Sequence, residues 1–253
     1  MARGLKLLQL LSDAADGTSI SELADKAGLA PATTHRLLRT LVACGFVRQL
    51  STRAYALGPE LVRLGESAGR MLGSWARPML AKLVEATDET ANFALLDGDQ
   101  VVYVAQVPSK HSMRMFTEVG RRVMPHCTGV GKAILSQLPE AEVLSVLSRT
   151  GMPAQTPRTK TDPAELLDEL REVRRCGYAV DNGEQEIGVR CVAVPVPWSP
   201  ARAAISVSGP ALRLQAADTE RVAGIMMGLA AEIAAGFDKK EVAATADAAA
   251  VPS

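Results

Sequence analysis

Residues 18–58 restrict the fold most, because two short helical patterns and two short strand patterns follow one another there with almost no connecting chain. In "SISELADKAGLAPATTHRLLRTLVACGF", Ser19 stands three residues before Glu22, the spacing of a capping box. In that motif the hydroxyl and the carboxylate each satisfy a backbone N–H that the first turn of a helix leaves free. Leu23, Ala24 and Ala27 share one face, and Gly28 suits the left-handed conformation that closes a helix. Pro31 fits the first position of a second helix, where its missing donor costs nothing. Leu37, Leu38, Leu41 and Val42 give that helix an apolar face as far as Gly45. Two helices joined this tightly form a helix-turn-helix. "FVRQLSTRAYALG" then alternates as two strands around Ser51-Thr52-Arg53, which is a wing, and upstream Leu7, Leu8 and Leu11 make residues 4–15 an amphipathic helix.

The opening turns of the second helix carry Ala32, Thr33, His35 and Arg36, with Arg39 one turn further on. Short and basic side chains in that position fit a DNA major groove. Arg48 and Arg53 in the wing are placed for phosphates, contacts that position a protein without reading sequence. Residues 1–60 hold seven Lys and Arg against five Asp and Glu, whereas the whole chain has 28 of each and no formal net charge. The nucleic-acid signal is therefore local.

Over 253 residues, 47% hydrophobic and 22% charged residues describe a soluble chain with real cores. No apolar run approaches the roughly 18 residues of a membrane span. The periodic leucines of "MARGLKLLQLLSDAADG" read as a folded helix rather than a secretion signal, so a cytoplasmic protein is expected. Cys44, Cys127, Cys176 and Cys191 form no C-x-x-C pair, which disfavours a zinc ribbon or a disulfide framework. Cys44 and Cys176 are expected to be buried free thiols.

The expected organisation is a head over 1–60, a linker helix over 61–73 built on Leu61, Leu64 and Ala68, a domain over 74–238, and an alanine-rich disordered tail over 239–253. Within the second domain a hairpin is expected in "ANFALLDGDQVVYVAQV", turning at Asp97-Gly98. Helices are expected at 129–149 and 162–176, strands in "YAVDN", "CVAVPV" and "AAISVSG", and a long closing helix from Asp218. Hairpin strands at a sheet edge, mixed with helices, give an α+β class.

"HCTGVGKAIL" invites comparison with a phosphate loop, and it fails on both sides. Five residues before Gly131 stands His126, not glycine, and Lys132 is followed by Ala133, not Ser or Thr. No hydrolase elbow of the form G-x-S-x-G is found in "SVSGP". Glycines ahead of "KAILSQL" instead place free backbone N–H groups at a helix start, where an anion is favoured, and Lys132 is expected to cap or solvate that helix. His126, Cys127, Asp181 and Cys191 are metal-capable types, but their spacing carries no signature, so no metal or other cofactor is expected. Cys191 as a nucleophile would need a base, and His126 is the one histidine in these motifs.

"SISELADKAGLAPATTHRLLRTLVACGFVRQ…YALGPELVRLG", "RVMPHCTGVGKAIL", "GYAVDNGEQEIGVRCVAVPV" and "AISVSGP" together resemble the isocitrate lyase regulator (IclR) family of bacterial transcription factors over nearly the whole chain. The resemblance implies a winged helix-turn-helix that binds double-stranded operator DNA, a linker helix, and a GAF-like domain that binds a small effector. Carried over by motif, it assigns Gly129, Val130, Asp181, Cys191, Ser206 and Ser208 to the effector site. The chain is thus expected to be a homodimeric or homotetrameric regulator answering to a small anionic metabolite. The rival reading is an enzyme acting on small molecules with an accessory head.

Overall fold

The computed structural model describes residues 1–14, 17–114, 118–197 and 202–249, without the side chains of 70–72, 74 and 236–249. They divide into two compact units, Met1–Met71 and Leu72–Ser253. The first unit contains α1 (Ala2–Ser12), α2 (Ile20–Ala27), α3 (Pro31–Ala43), β1 (Val47–Gln49) and β2 (Tyr55–Leu57), and α4 (Glu60–Leu72) leads out of it. Ser19 and Glu22 form the full capping box at the start of α2, and Gly28 closes that helix at φ 65°. Leu7, Leu11, Leu23, Leu38, Val47 and Tyr55 make the core. β1 and β2 pair antiparallel, and Thr18 bridges to Tyr55 beside them. Val42, expected inside, is 38% exposed. The buried face of α3 runs through Thr34 and Leu38, and Val42 lies at its margin. Cys44, just past α3, is likewise exposed rather than buried, and Cys176 is half-buried.

The second unit holds α5 (Arg77–Thr87), β3 (Thr90–Asp97), β4 (Gln100–Val107), β5 (Arg122–Val123), α6 (Gly129–Leu135), α7 (Glu140–Thr150), α8 (Pro163–Cys176), β6 (Ala179–Asn182), β7 (Val189–Val196), β8 (Ala203–Pro210) and α9 (Thr219–Ala249). Its sheet is antiparallel throughout, in the order β5-β4-β3-β8-β7-β6. The β3–β4 hairpin is therefore not an edge element: β3 pairs with β8 as well, and the short β5 takes the edge. The helix expected over 129–149 is two helices, divided at Pro139, which caps the second. α9 continues to Ala249, through most of the expected disordered tail; alanine, the strongest helix former, dominates that stretch. Residues 250–253 lie outside the described residues.

The two faces of the sheet differ. One packs Phe93, Val192, Val194, Ile205 and Val207 against Leu80, Leu83, Val222 and Met226 of α5 and α9, an ordinary apolar core. The other faces α6 with small residues, Ala94, Ala179, Ala193 and Ala204, so the helix lies close to the strands. Gly131 lets the chain fold tightly into the helix: a Cβ there would fall 2.2 Å from the Pro125 carbonyl oxygen in the segment leading into α6.

Lys132, expected to cap or solvate its helix, is fully buried and does neither. Its ammonium donates to Glu169 Oε1 on α8 (2.7 Å), to the Val180 carbonyl on β6 (2.6 Å) and to Glu184 Oε1 in the turn after β6 (2.5 Å). Lys160 contacts the other oxygen of Glu169 at 2.5 Å. Burial alone would lower the Lys132 pKa, but Glu169 and Glu184 outweigh it and hold it above the usual range. Burial raises Glu169, and the two lysines pull it back below its ordinary value. Glu184 stays raised, burial prevailing over Lys132, and its Oε2 has no partner.

Removing Lys132 leaves Glu184 without a cation in a poorly solvated site, while Glu169 keeps Lys160. Lys132→Met is expected to cost about 3–5 kcal/mol of stability at pH 8, the usual result of breaking a buried pair from one side. Without the lysine, burial acts on Glu184 unopposed and raises it further above its unfolded value, so it destabilises the fold while ionised and ceases to do so once protonated. The deficit against wild type should therefore shrink between pH 8 and pH 5. Urea midpoints at the two pH values check this; an equal deficit at both would contradict it.

Candidate functional site

On α3, Ala32, His35, Arg36 and Arg39 are exposed and Thr33 is half-buried. Pro31 starts the helix without a side-chain cap at Ala30, and Thr34 donates back to the Ala30 carbonyl at 3.3 Å, so the polar residues around it turn outward. His35, Arg36, Arg39, Thr40, Ala43 and Cys44 border one surface depression of about 520 Å³. Arg48 is exposed on β1. Arg53 sits at the tip of the wing in a left-handed conformation, φ 65°, with its N–H bonded to the Leu50 carbonyl at 2.9 Å. The structure thus places the seven expected DNA-facing residues on the outer side of α3 and along the wing.

In the second unit the strand register gathers the other expected residues. Cys191 lies opposite Asp181 on one side and Ser208 on the other, and Ser208 faces Thr90; one row along, Ala193, Ser206, Asn92 and Gln106 are aligned. All of these belong to the sheet face that α6 covers. Asp181, Cys191 and Ser208 are at most 6% exposed, and Ser206, Asn92 and Thr90 are wholly buried. Buried hydroxyls and amides are costly without partners. Here Asn92 donates to Ser206 Oγ at 3.4 Å and accepts from Gln106 Nε2 at 3.1 Å, and the Ser109 N–H reaches Thr90 Oγ1 at 3.1 Å.

α6 begins directly over this row. A Cβ on Gly129 would lie 2.8 Å from Cys191 Sγ, so helix and strand meet there only because the residue is glycine. Val130 is fully buried in the apolar cluster with Ala133 and Ala193. Thr128 caps the helix: its hydroxyl accepts from Gly131 N at 3.2 Å and donates to the Met124 carbonyl at 3.0 Å. Asp181 Oδ1 accepts the Glu184 N–H at 2.7 Å, which builds the following turn onto the carboxylate. Burial raises its pKa, against the opposing pull of that N–H and of Lys132. The Cys127 thiol donates to Gln185 Oε1 of the same turn at 3.1 Å.

Burial pushes the Cys127 thiol up to about 12 and the Cys191 thiol up to about 11, with Asp181 adding to both. Neutral thiols at neutral pH are hydrogen-bonding groups, not nucleophiles. Burial also lowers His126, whose Nε2 lies 3.2 Å from the Pro153 carbonyl. Sequence reasoning missed Thr90, Asn92, Gln106 and Tyr103, which share this face. The available signal was "TANFALLD", where Thr90 and Asn92 alternate with Ala91 and Phe93 in a strand whose two faces are both buried.

Residues 1–51 match the IclR helix-turn-helix domain, and residues 69–235 match the family described as bacterial transcriptional regulator IclR C-terminal. The acetate operon repressor of Salmonella typhimurium is 39% identical over 225 residues, covering 85% of this chain and 81% of the relative. The crystal structure of an IclR regulator from Alicyclobacillus acidocaldarius superposes with a TM-score of 0.81 at 31% identity, covering 92% of this chain and 96% of that one. The fold is shared at a TM-score of 0.80 by an IclR homologue from Microbacterium hydrocarbonoxydans complexed with 4-hydroxybenzoate, 24% identical over 92% of this chain and 97% of that one. With its DNA-binding head and its effector-binding domain both matched, the chain belongs to the IclR family of bacterial transcriptional regulators.

Proposed function

We propose that this regulator reads operator DNA with α3 and the wing and senses a small anionic metabolite on the α6-facing side of its sheet. The observation that carries the sensing half is the row of buried polar side chains, Asp181, Cys191, Ser206 and Ser208, on a face where a structural core would hold apolar ones. Gly129, against Cys191, and Val130 border it from the start of α6. The complex of the Microbacterium homologue with an aromatic carboxylate supports the anionic class. Asp181 and the serines would then receive hydroxyl or amide groups of the ligand.

In the head, Ala32, Thr33, His35, Arg36 and Arg39 enter the major groove while Arg48 and Arg53 hold phosphates. One head offers a small interface, and helix-turn-helix proteins commonly read two half-sites spaced by whole helical turns. A homodimer or homotetramer follows, acting on cytoplasmic DNA, with α4 in the interface: Val62 and Leu64 are 63% and 41% exposed on it. Sedimentation at micromolar concentration should show a dimer or tetramer, and a monomer would refute the assembly.

Arg36→Ala should weaken operator binding by about 1–3 kcal/mol and relax specificity at one base pair if its guanidinium meets a base edge. Arg53→Ala should instead weaken operator and random DNA alike and reduce the salt dependence by roughly one phosphate contact. Fluorescence anisotropy across a salt series separates the two; unchanged binding in both variants would move the DNA surface elsewhere. On the sensing face, Ser208→Ala should cost about 0.5–1.5 kcal/mol of effector affinity, one neutral hydrogen bond, and leave DNA binding intact. A gel shift titrated with small organic acids reads both quantities, and a wild-type response from the Ser208 variant would contradict the placement.

A further inference from the structure

We infer that Arg121 and Tyr103 form the carboxylate-receiving end of the sensing face, which narrows the ligand to a small organic acid that also carries hydrogen-bonding groups. The inference rests on the sensing site proposed above and adds two residues that neither the sequence motifs nor the family resemblance supplied.

β5 pairs with β4 through Val101↔Val123 and Val102↔Arg122, and beyond β5 the pairing closes in a bulge, in which Tyr103 N bonds the Arg121 carbonyl at 3.1 Å and Gly120 N bonds the Tyr103 carbonyl at 2.7 Å. Arg121 thus stands across from Tyr103. Side chains alternate along a strand, so Arg121 shares the face of Val123, and Tyr103 that of Val101. Val101, Val123 and Tyr103 all pack in the cluster beneath α6. Arg122, one residue on, points the other way and pairs with Asp97.

Charge then separates Arg121 from its neighbours. Lys132, the other cation near this face, is already committed to Glu169 and Glu184. Arg121 is exposed and has no carboxylate or hydrogen-bond partner for its guanidinium among the described residues. The Tyr103 side chain is 8% exposed. Its hydroxyl is held above its ordinary pKa first by burial and then by Cys191 and Asp181, with Arg121 pulling the other way. It stays protonated and can donate to a ligand oxygen. The same hydroxyl therefore lies within electrostatic reach of both Asp181 and the Arg121 guanidinium. A planar guanidinium matches a carboxylate in a two-point contact, and a neutral phenol adds a third donor.

That layout sorts ligands by polarity along their length. The acid group goes toward Arg121 and Tyr103, and hydroxyl, carbonyl or amide groups go toward Ser206, Ser208 and Asp181. An acid placed the other way round would meet the Asp181 carboxylate.

Isothermal titration of the full-length protein with 4-hydroxybenzoate, benzoate, lactate and succinate, each beside its amide, tests this. Wild type is expected to bind at least one acid and to bind its amide at least tenfold more weakly. Arg121→Gln should lose at least tenfold for that acid with no loss for the amide, Arg121→Lys should recover part of it, and Tyr103→Phe should lose a smaller factor. Circular dichroism confirms folding, which an exposed arginine and a Tyr→Phe change leave intact. Equal binding of acid and amide, wild-type affinity in Arg121→Gln, or no acid bound by wild type would each overturn the inference. Ser208→Ala in the same series separates the two proposals. Weakened binding there with Arg121→Gln unaffected leaves the sensing site standing without its arginine, while wild-type binding in both variants removes the site as well.

Discussion

The Lys132 ammonium reaches Glu169 on α8, the Val180 carbonyl on β6 and Glu184 in the turn beyond, and so joins three segments that are far apart in the chain. Taking an ammonium and two carboxylates out of water costs several kcal/mol per ion, and their attraction returns that only when the geometry is good and the remaining donors are used. Here all three donors of the ammonium are used. The return is positional. α6 is only seven residues long and too short to hold itself in place. Lys132 fixes it against β6 and against the 183–185 turn, and the same turn is fastened to Asp181 through the Glu184 N–H. One cross-link therefore sets both sides of the face proposed for sensing.

The sheet shows the same division of labour between stability and function. Its α5/α9 face is filled by Phe93, Val192, Val194, Ile205 and Val207 and carries the hydrophobic stabilisation of the unit. With that core in place, the opposite face can hold Thr90, Asn92, Ser206, Ser208 and Asp181, each of which would be a poor choice for packing alone. Small residues on the same face, Ala94, Ala193 and Ala204, keep α6 near enough for Gly129 to lie against Cys191 and Ala193 of β7. In the head, by contrast, the polar residues of α3 are simply those left outside by a one-sided helix whose Thr34 and Leu38 are buried.

Local signals were the ones legible in the sequence. The Ser19–Glu22 box, Gly28, Pro31 and the Asp97-Gly98 turn each act within a few residues, and α2, α3 and the β3–β4 hairpin formed where those signals stood. Long-range pairings were not legible. Lys132 meets Glu169 and Glu184, 37 and 52 residues away, so nothing within its own helical turn distinguishes a buried ammonium from a solvated one. Likewise Arg121 acquires its meaning only through a strand pair with Tyr103 that depends on the two-residue β5. The break between α6 and α7 was signalled by Pro139, but an apolar pattern that continues across it concealed the stop. The family motifs pointed to Asp181, Cys191, Ser206 and Ser208, and the sheet register then brought in Thr90, Asn92 and Gln106, which those motifs do not contain.

One buried lysine holds the turn and the helix that frame the proposed sensing face. Residue-resolved hydrogen exchange of Lys132→Met at pH 7 tests it most directly, through the Glu184 amide that Asp181 accepts at 2.7 Å. Native-state exchange reports local opening separately from global unfolding. The Glu184 amide should lose protection well beyond the loss seen at Val192 and Ile205 in the centre of the sheet. Protection at Glu184 that stays as in wild type, or falls only in step with the sheet amides, would contradict it.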